Sequence, residues 1–472
     1  MRAGPPRTAH DWLRAFARGE ALPSDCWHAC RQALDAHNGQ LNAVPTRLPP
    51  EVLQPAFEAA DARVRAGVPV GVLHGLPYVA KDIFATAGVR TTFGSPIFAD
   101  HVPAHDAAIV QRIKTAGAVL TGKSNTPEFA AGSQTFNPVL GATRNPHDPS
   151  RTVGGSSGGA AAALATGMAM VADGSDLAAS LRNPAAFCGV VGLRTSSYLD
   201  PSLQPDHNGF GTLNVVGPLA RSVTDCEIAW RAIFDPPPAR PMARWADWLD
   251  ALTREPASPR TLRVAASVDL GGLPVERVVR DTFERAVDAL RRAGVQVVDA
   301  HPDFDGADEA FQTLRALYFA EGPGELYPAH RLRMKDTVVW NIERGLALTV
   351  SEIVRAHRLR TQVFGRMAAF MDGYDALLLP TAQVLPFALD VPYPTHIDGV
   401  PLPTYVDWLK SCYWITVSAH PALSIPAGMA RPADGARPLP VGLQVVGRFR
   451  QEAALFRVGR AIEQVLGAEP GR

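Results

Sequence analysis

Residues 151–193 read RTVGGSSGGAAAALATGMAMVADGSDLAASLRNPAAFCGVVGL. Two serine sites stand among small residues here, Ser156 in GGSSGG and Ser180 in SDLAASLR, 24 residues apart. The small residues Gly158 to Thr166 predict a tightly packed helix, and Met168 to Ala172 a strand. Ser180 then falls in irregular chain just past a strand end, where α/β folds place chemistry. GGSSGG also fits G-x-S-x-G, but the polar, proline-containing RNPHDPSRTV before it is not the strand a nucleophile elbow needs. No lysine follows at the spacing of a phosphate-binding loop.

Upstream, Gly75 to Ala80 is a short apolar run behind a turn, which reads as a buried strand ending near Lys81, with Asp82 next. Lysine is scarce: Lys81, Lys114, Lys123, Lys335 and Lys410 stand against 41 arginines. Each feature alone has a plain reading: a flexible linker, a turn-capping Ser180, a solvated Lys81. Together they have a chemical one. An unactivated serine needs a base within hydrogen-bond reach, and no histidine lies in either serine motif. A lysine kept neutral by burial can serve instead, because desolvation lowers its pKa by as much as several units.

Outward from this core, residues 9–37 have helical spacing, broken at Leu22-Pro23, with Ser24 as expected N-cap. Helices are predicted over Glu51–Ala66, Ala107–Ala116, Val275–Ala293 and Gln451–Val465, and residues 305–372 read as mostly helical. Strands are predicted at Ala118–Thr121, Leu262–Val268, Ala376–Leu379 and Val441–Val446. This alternation predicts an α/β fold. The proline-rich connection after Asp235 reads as a surface loop, because the later strands are too few for a sheet of their own.

At 46% hydrophobic and 19% charged residues, the 472-residue composition is that of a globular chain with ample core. Lys+Arg and Asp+Glu balance at 46 each, which gives no support to nucleic acid or a membrane surface as partner. Five scattered cysteines (Cys26, Cys30, Cys188, Cys226, Cys412) complete no metal pattern and read as core thiols. The start lacks the apolar run of a signal peptide, so a cytoplasmic location is expected.

Ordered blocks along nearly the whole chain resemble the amidase signature family. They run from Gly75-Leu76-Pro77 with Lys81-Asp82, through Gly122-Lys123-Ser124-Asn125, Pro127-Glu128-Phe129 and Thr143-Arg144-Asn145-Pro146, to the serine- and glycine-rich segment. Gly217-Pro218-Leu219-Ala220-Arg221, Leu379-Pro380-Thr381, His420-Pro421-Ala422 and Gly442-Leu443-Gln444 follow. The resemblance implies one domain over 1–472, a mixed twisted sheet flanked by helices on both faces. Within it fall N-terminal helices in 1–70, a catalytic core in 71–235, a variable, mostly helical region shaping the pocket in 236–375, and closing strands and helix in 376–472.

It further implies a Ser–cis-Ser–Lys triad: Ser180 as nucleophile, Ser156 as bridging serine after a cis peptide from Gly155, and Lys81 as neutral base. The backbone N–H groups of Leu177, Ala178, Ala179 and Ser180 would form the oxyanion hole, with Ala130 and Ser156 against substrate. Asp176 and Arg182 read as supporting residues. No metal or organic cofactor is implied, and the partner is a small-molecule amide or carbamate; a homodimer is left open. Leu177, Ala178 and Phe129 point to an apolar acyl or aryl group, with residues 200–215 and Trp340 expected to add to the lining.

Two departures stand out. Ala178-Ala179 replace a usual Gly-Gly pair, which predicts strain if either position needs a left-handed backbone. Ala419-His420 stands where a glycine is common. The alternatives are the A subunit of a glutamine-dependent tRNA amidotransferase, which keeps the Gly-Gly pair, and a non-catalytic scaffold.

Overall fold

The computed structural model describes residues 8–68, 71–197, 211–234, 247, 249–252 and 256–467. The proline-rich connection 235–246 and residues 200–210 of the expected lining lie outside the described residues. One sheet gathers strands from nearly the whole chain: β1 (Thr46–Arg47), β2 (Pro77–Lys81), β3 (Val119–Ser124), β4 (Val171–Asp176), β5 (Val191–Arg194), β6 (Val215–Ala220), β7 (Arg263–Ala266), β8 (Gln296–Asp299), β9 (Ala376–Pro380), β10 (Ala422–Ala430) and β11 (Leu439–Val446). Their order is β1-β3-β2-β4-β6-β5-β10-β11-β9-β7-β8. Pairing is parallel through β3-β2-β4 and β9-β7-β8, and antiparallel across the middle. The sheet is mixed, as expected, and the later strands join it rather than form another.

β2 is buried along its whole length, the mark of a strand covered on both faces. Alternation sends Tyr78 and Ala80 into a core with the helices Ala9–Ala17, Ala108–Thr115 and Val223–Phe234, and Val79 into a second core under the helix Gly158–Ala165. Lys81 continues the Val79 side. The helix Gly158–Ala165 is buried all round and its first turn is tightly enclosed: a Cβ on Gly158 would sit 2.3 Å from Thr135 Oγ1, and one on Gly159 2.3 Å from the Asn125 nitrogen. Further out, the helices Ala307–Glu321, Asp336–Leu346 and Val350–Met371 form the expected helical region.

Several expectations shift. The helix Pro23–Leu41 starts one residue before the expected cap, with Pro23 in its first turn. Ser24 instead bonds Asp61 through its N–H at 2.9 Å and its hydroxyl at 2.7 Å, while Asp25 accepts the Leu22 N–H. β4 starts later than expected and runs on to Asp176. β5, β6 and β10 were not foreseen, because VGLR, VVGPLA and ALSIPAGMA carry the glycines and prolines that ordinarily break strands. In β10 the register shifts between Pro426 and Gly428, which absorbs the break as a bulge. All five cysteines are buried and free.

Candidate active site

Lys81, at the end of β2, is fully buried, and its Nζ donates to three serine hydroxyls: Ser156 at 2.7 Å, Ser157 at 3.0 Å and Ser175 at 3.2 Å. Burial lowers its pKa to about 7, against the opposing pull of Asp173 and Asp176. Asp173, one strand over, accepts the Lys81 backbone N–H at 2.6 Å and the Tyr78 hydroxyl, which fixes the strand end. Burial raises the Asp173 carboxyl to about 6 despite these donors. Ser157 and Ser175 are the site residues that sequence reasoning missed, although both stand within residues 151–193.

Ser156 follows a cis peptide bond from Gly155. The segment is clamped from outside: Ser133 Oγ donates to the Gly155 carbonyl at 2.6 Å, and Thr135 Oγ1 to the Gly154 carbonyl at 2.8 Å. Gly154 has φ +74, and a Cβ there would lie 2.5 Å from Asn183 Oδ1. Glycine is required on both counts.

Ser180 lies four residues beyond β4, 8% exposed, and its carbonyl accepts the Ser157 N–H at 3.2 Å. The structure thus ties both serine segments together through the backbone and joins Lys81 to Ser156 through side chains. A hydrogen bond between the Ser180 and Ser156 hydroxyls is not among the contacts of the described residues.

The loop Leu177–Ser180 is pinned by a buried ion cluster. Arg182 bonds Asp176 through Nε at 3.0 Å and Nη2 at 2.8 Å, and Nη2 also donates to the Ala178 carbonyl at 2.8 Å. Thr416 Oγ1 donates to the same carbonyl at 3.3 Å, and Asp176 accepts the Leu181 N–H at 3.1 Å. Burial would push the Asp176 carboxyl up, but the charges and hydrogen bonds of Arg182, with Arg194, hold it at about 2. Asp176 and Arg182 therefore support the loop.

The carbonyls of Ala178, Ala179 and Ser180 are engaged, whereas the backbone N–H groups of Leu177, Ala178, Ala179 and Ser180 donate to no other group among the described residues. Four unspent donors beside a serine hydroxyl can bind developing negative charge. Neither Ala178 nor Ala179 has a positive φ, so the strain expected of the alanine pair is absent. Ala179 is fully buried, in one apolar cluster with Ala186, Phe187 and Leu213. At the other departure Ala419 does adopt φ +63, which is why glycine suits that position.

Ala130 lies in a short turn, Glu128–Ala130, where Phe129 and Ala130 have φ +48 and +56. Strained non-glycine backbone of this kind clusters at functional sites. Glu128 anchors the turn, accepting Ser95 Oγ and the Lys335 N–H, each at 2.6 Å. Phe129 and Leu177 pack in one apolar cluster with Ala131, Val338 and Ile342, which ties the turn and the loop to the helix Asp336–Leu346. Trp340 is 43% exposed and edge-on to Tyr405.

A sequence model of the Amidase family matches residues 26–456. The chain is 31% identical over 461 residues to an acylamidase of Rhodococcus erythropolis, covering 97% of this chain and 95% of the relative. It is 36% identical to the glutamyl-tRNA(Gln) amidotransferase A subunit of Anaeromyxobacter sp. (strain K), covering 93% and 91%. A bacterial aryl acylamidase structure superposes at TM-score 0.84 over 98% of this chain and 99% of that one, and at 24% identity shows the fold. A structure of 6-aminohexanoate cyclic dimer hydrolase with substrate superposes at 0.80, 26% identical, over 98% and 97%.

Proposed function

The chain belongs to the amidase signature family and is an enzyme that hydrolyses C–N bonds; from that premise we propose that it cleaves small, largely apolar aryl or acyl amides, with carbamates and esters as further substrates, through Lys81, Ser156 and Ser180. The observation that carries this is the fully buried Lys81 amine 2.7 Å from Ser156 Oγ, with its pKa lowered to about 7. An amine that is substantially neutral at working pH can accept a proton, which an ordinary lysine rarely does.

In the cycle, Lys81 Nζ takes the Ser156 hydroxyl proton while Ser156 Oγ takes that of Ser180. Ser180 Oγ attacks the substrate carbonyl, and the N–H groups of Leu177 to Ser180 hold the resulting oxyanion. The proton returns through the same hydroxyls to the leaving nitrogen as the C–N bond breaks, which leaves an acyl-Ser180 ester. Water, deprotonated along the same path, attacks that ester and restores the serine. Ala130 and the Phe129 and Leu177 side chains border the acyl group.

The purified chain is expected to turn over acetanilide alone, and Ser180→Ala to reduce kcat by about 10⁴-fold or more. Undiminished turnover in that variant would overturn the assignment. The 36% identity to an amidotransferase component favours a second reading, in which the chain serves such a complex and acts on glutamine. Turnover of glutamine but no anilide would select it. A scaffold without catalysis is excluded once a fluorophosphonate labels Ser180.

A further inference from the structure

The loop that clamps Gly155 has a second side. There, Ser133, Gln134 and Phe136 face Lys335, Thr337 and Tyr405 across a cavity of about 40 Å³. A volume this small suits one polar group, not a ring. Its wall is mostly aromatic and apolar, with Pro392, Tyr393 and Trp408 beside Phe136 and Tyr405, and the few polar groups set in it are unfinished. Gln134 Nε2 donates to the Leu389 carbonyl at 2.7 Å, which fixes the amide and leaves Oε1 buried with no hydrogen-bond partner. Thr337 Oγ1 is buried and unpartnered too. Lys335 Nζ lies 4.2 Å over the Phe136 ring and donates to no acceptor among the described residues. Burial lowers this lysine to about 8, with the Glu128 charge opposing, so it stays largely cationic near neutrality.

Unpartnered buried polar groups are costly and are ordinarily satisfied by something that binds. The set comprises a cationic donor, a hydroxyl and one obligate acceptor. A carboxylate answers it badly, since its second oxygen would face Gln134 Oε1 and Glu128 already offsets the Lys335 charge. A carboxamide answers it fully. We infer that this cavity is a subsite for a second amide group of the substrate. The carbonyl of that group accepts from Lys335 Nζ and the Thr337 hydroxyl, its N–H donates to Gln134 Oε1, and Lys335 is the specificity-determining residue. The inference rests on the amidase reading and narrows its substrate class from plain apolar amides to those with a second amide in the acyl arm.

Three anilides with one leaving group test it: N-acetylglycine anilide, its hydrocarbon counterpart pentananilide, and succinanilic acid. The wild-type enzyme is expected to favour the acetylglycine compound over pentananilide by roughly 10- to 100-fold in kcat/KM, the range for a hydrogen bond to a charged donor, with the difference in KM. Lys335→Met and the near-isosteric Thr337→Val should each pull that ratio towards one, and Lys335→Arg should restore part of it. A wild-type ratio near one, a ratio unmoved in Lys335→Met, or succinanilic acid as the best substrate would each overturn the subsite while leaving the amidase reading intact. No turnover of any anilide sinks both.

Discussion

Two lysines lie on neighbouring strands, Lys81 on β2 and Lys123 on β3, and both are fully buried. Burial lowers both, to about 7 and about 8. They differ in what they face. Lys81 meets three serine hydroxyls. Lys123 donates to the Phe84 carbonyl at 2.5 Å and to Thr86 and Thr91 at 2.7 and 3.1 Å, and the Asp82 charge opposes its loss of a proton. The Thr86 and Thr91 hydroxyls spend their protons on the Phe84 and Val89 carbonyls at 3.0 and 3.1 Å, so Lys123 meets acceptors alone and holds the 84–91 turn as an ammonium; the Ser156 hydroxyl donates to no carbonyl among the described residues, so Lys81 can exchange a proton with it. Burial supplies the shift in both cases, and the acceptor decides whether it becomes chemistry.

Deleting each amine separates the two roles. Lys81→Met should lower kcat by roughly 10²- to 10⁴-fold, the ordinary share of a general base, with the fold retained by circular dichroism. Lys123→Met should lose about 3–5 kcal/mol in denaturant unfolding, because Asp82 is left buried without its cation, and should keep far more of its kcat. Equal kinetic losses in the two would erase the distinction.

The two amines also differ in their pH dependence. With Lys81 active as free amine, kcat/KM should rise with pH through about 7 and then level. Stability carries the same signature. Between about 7 and the ordinary lysine value of 10.5 the unfolded chain binds a proton that folded Lys81 does not, so stability rises with pH there. Lys123, lowered less, adds most of its part at higher pH. Near pH 7, Lys81→Met should therefore flatten the slope of unfolding free energy more than Lys123→Met does.

The smallest effect is expected at the alanine pair. Ala179→Gly removes a buried methyl at ordinary φ, so it should cost about 0.5–1 kcal/mol and leave kcat within a few-fold. A large gain in kcat would mean that the oxyanion loop does require glycine.

What the sequence made legible follows from how local each feature is. Lys81 stands out because an apolar strand leads straight to it, and Ser156 because glycines crowd it. The N–H donors of Leu177 to Ser180 came only with the family resemblance. Ser157 and Ser175 escape notice: nothing local marks a serine as an acceptor for an amine 75 or more residues away. β5, β6 and β10 are hidden by glycines and prolines whose cost is offset by tertiary pairing in the middle of the sheet. The alanines show the same limit. Strain was expected at 178–179 and is found at Ala419, because φ is set by the surrounding loop and not by the residue name.

The two walls around Gly155 also set where this enzyme can be re-engineered. Toward the helix Gly158–Ala165 there is no slack, since even a methyl on Gly158 or Gly159 collides with neighbouring atoms at 2.3 Å. Codon libraries there should return mostly unfolded clones. Gln134, Phe136, Lys335 and Thr337 border the small cavity instead, so directed evolution of new selectivity should find its winners on that side.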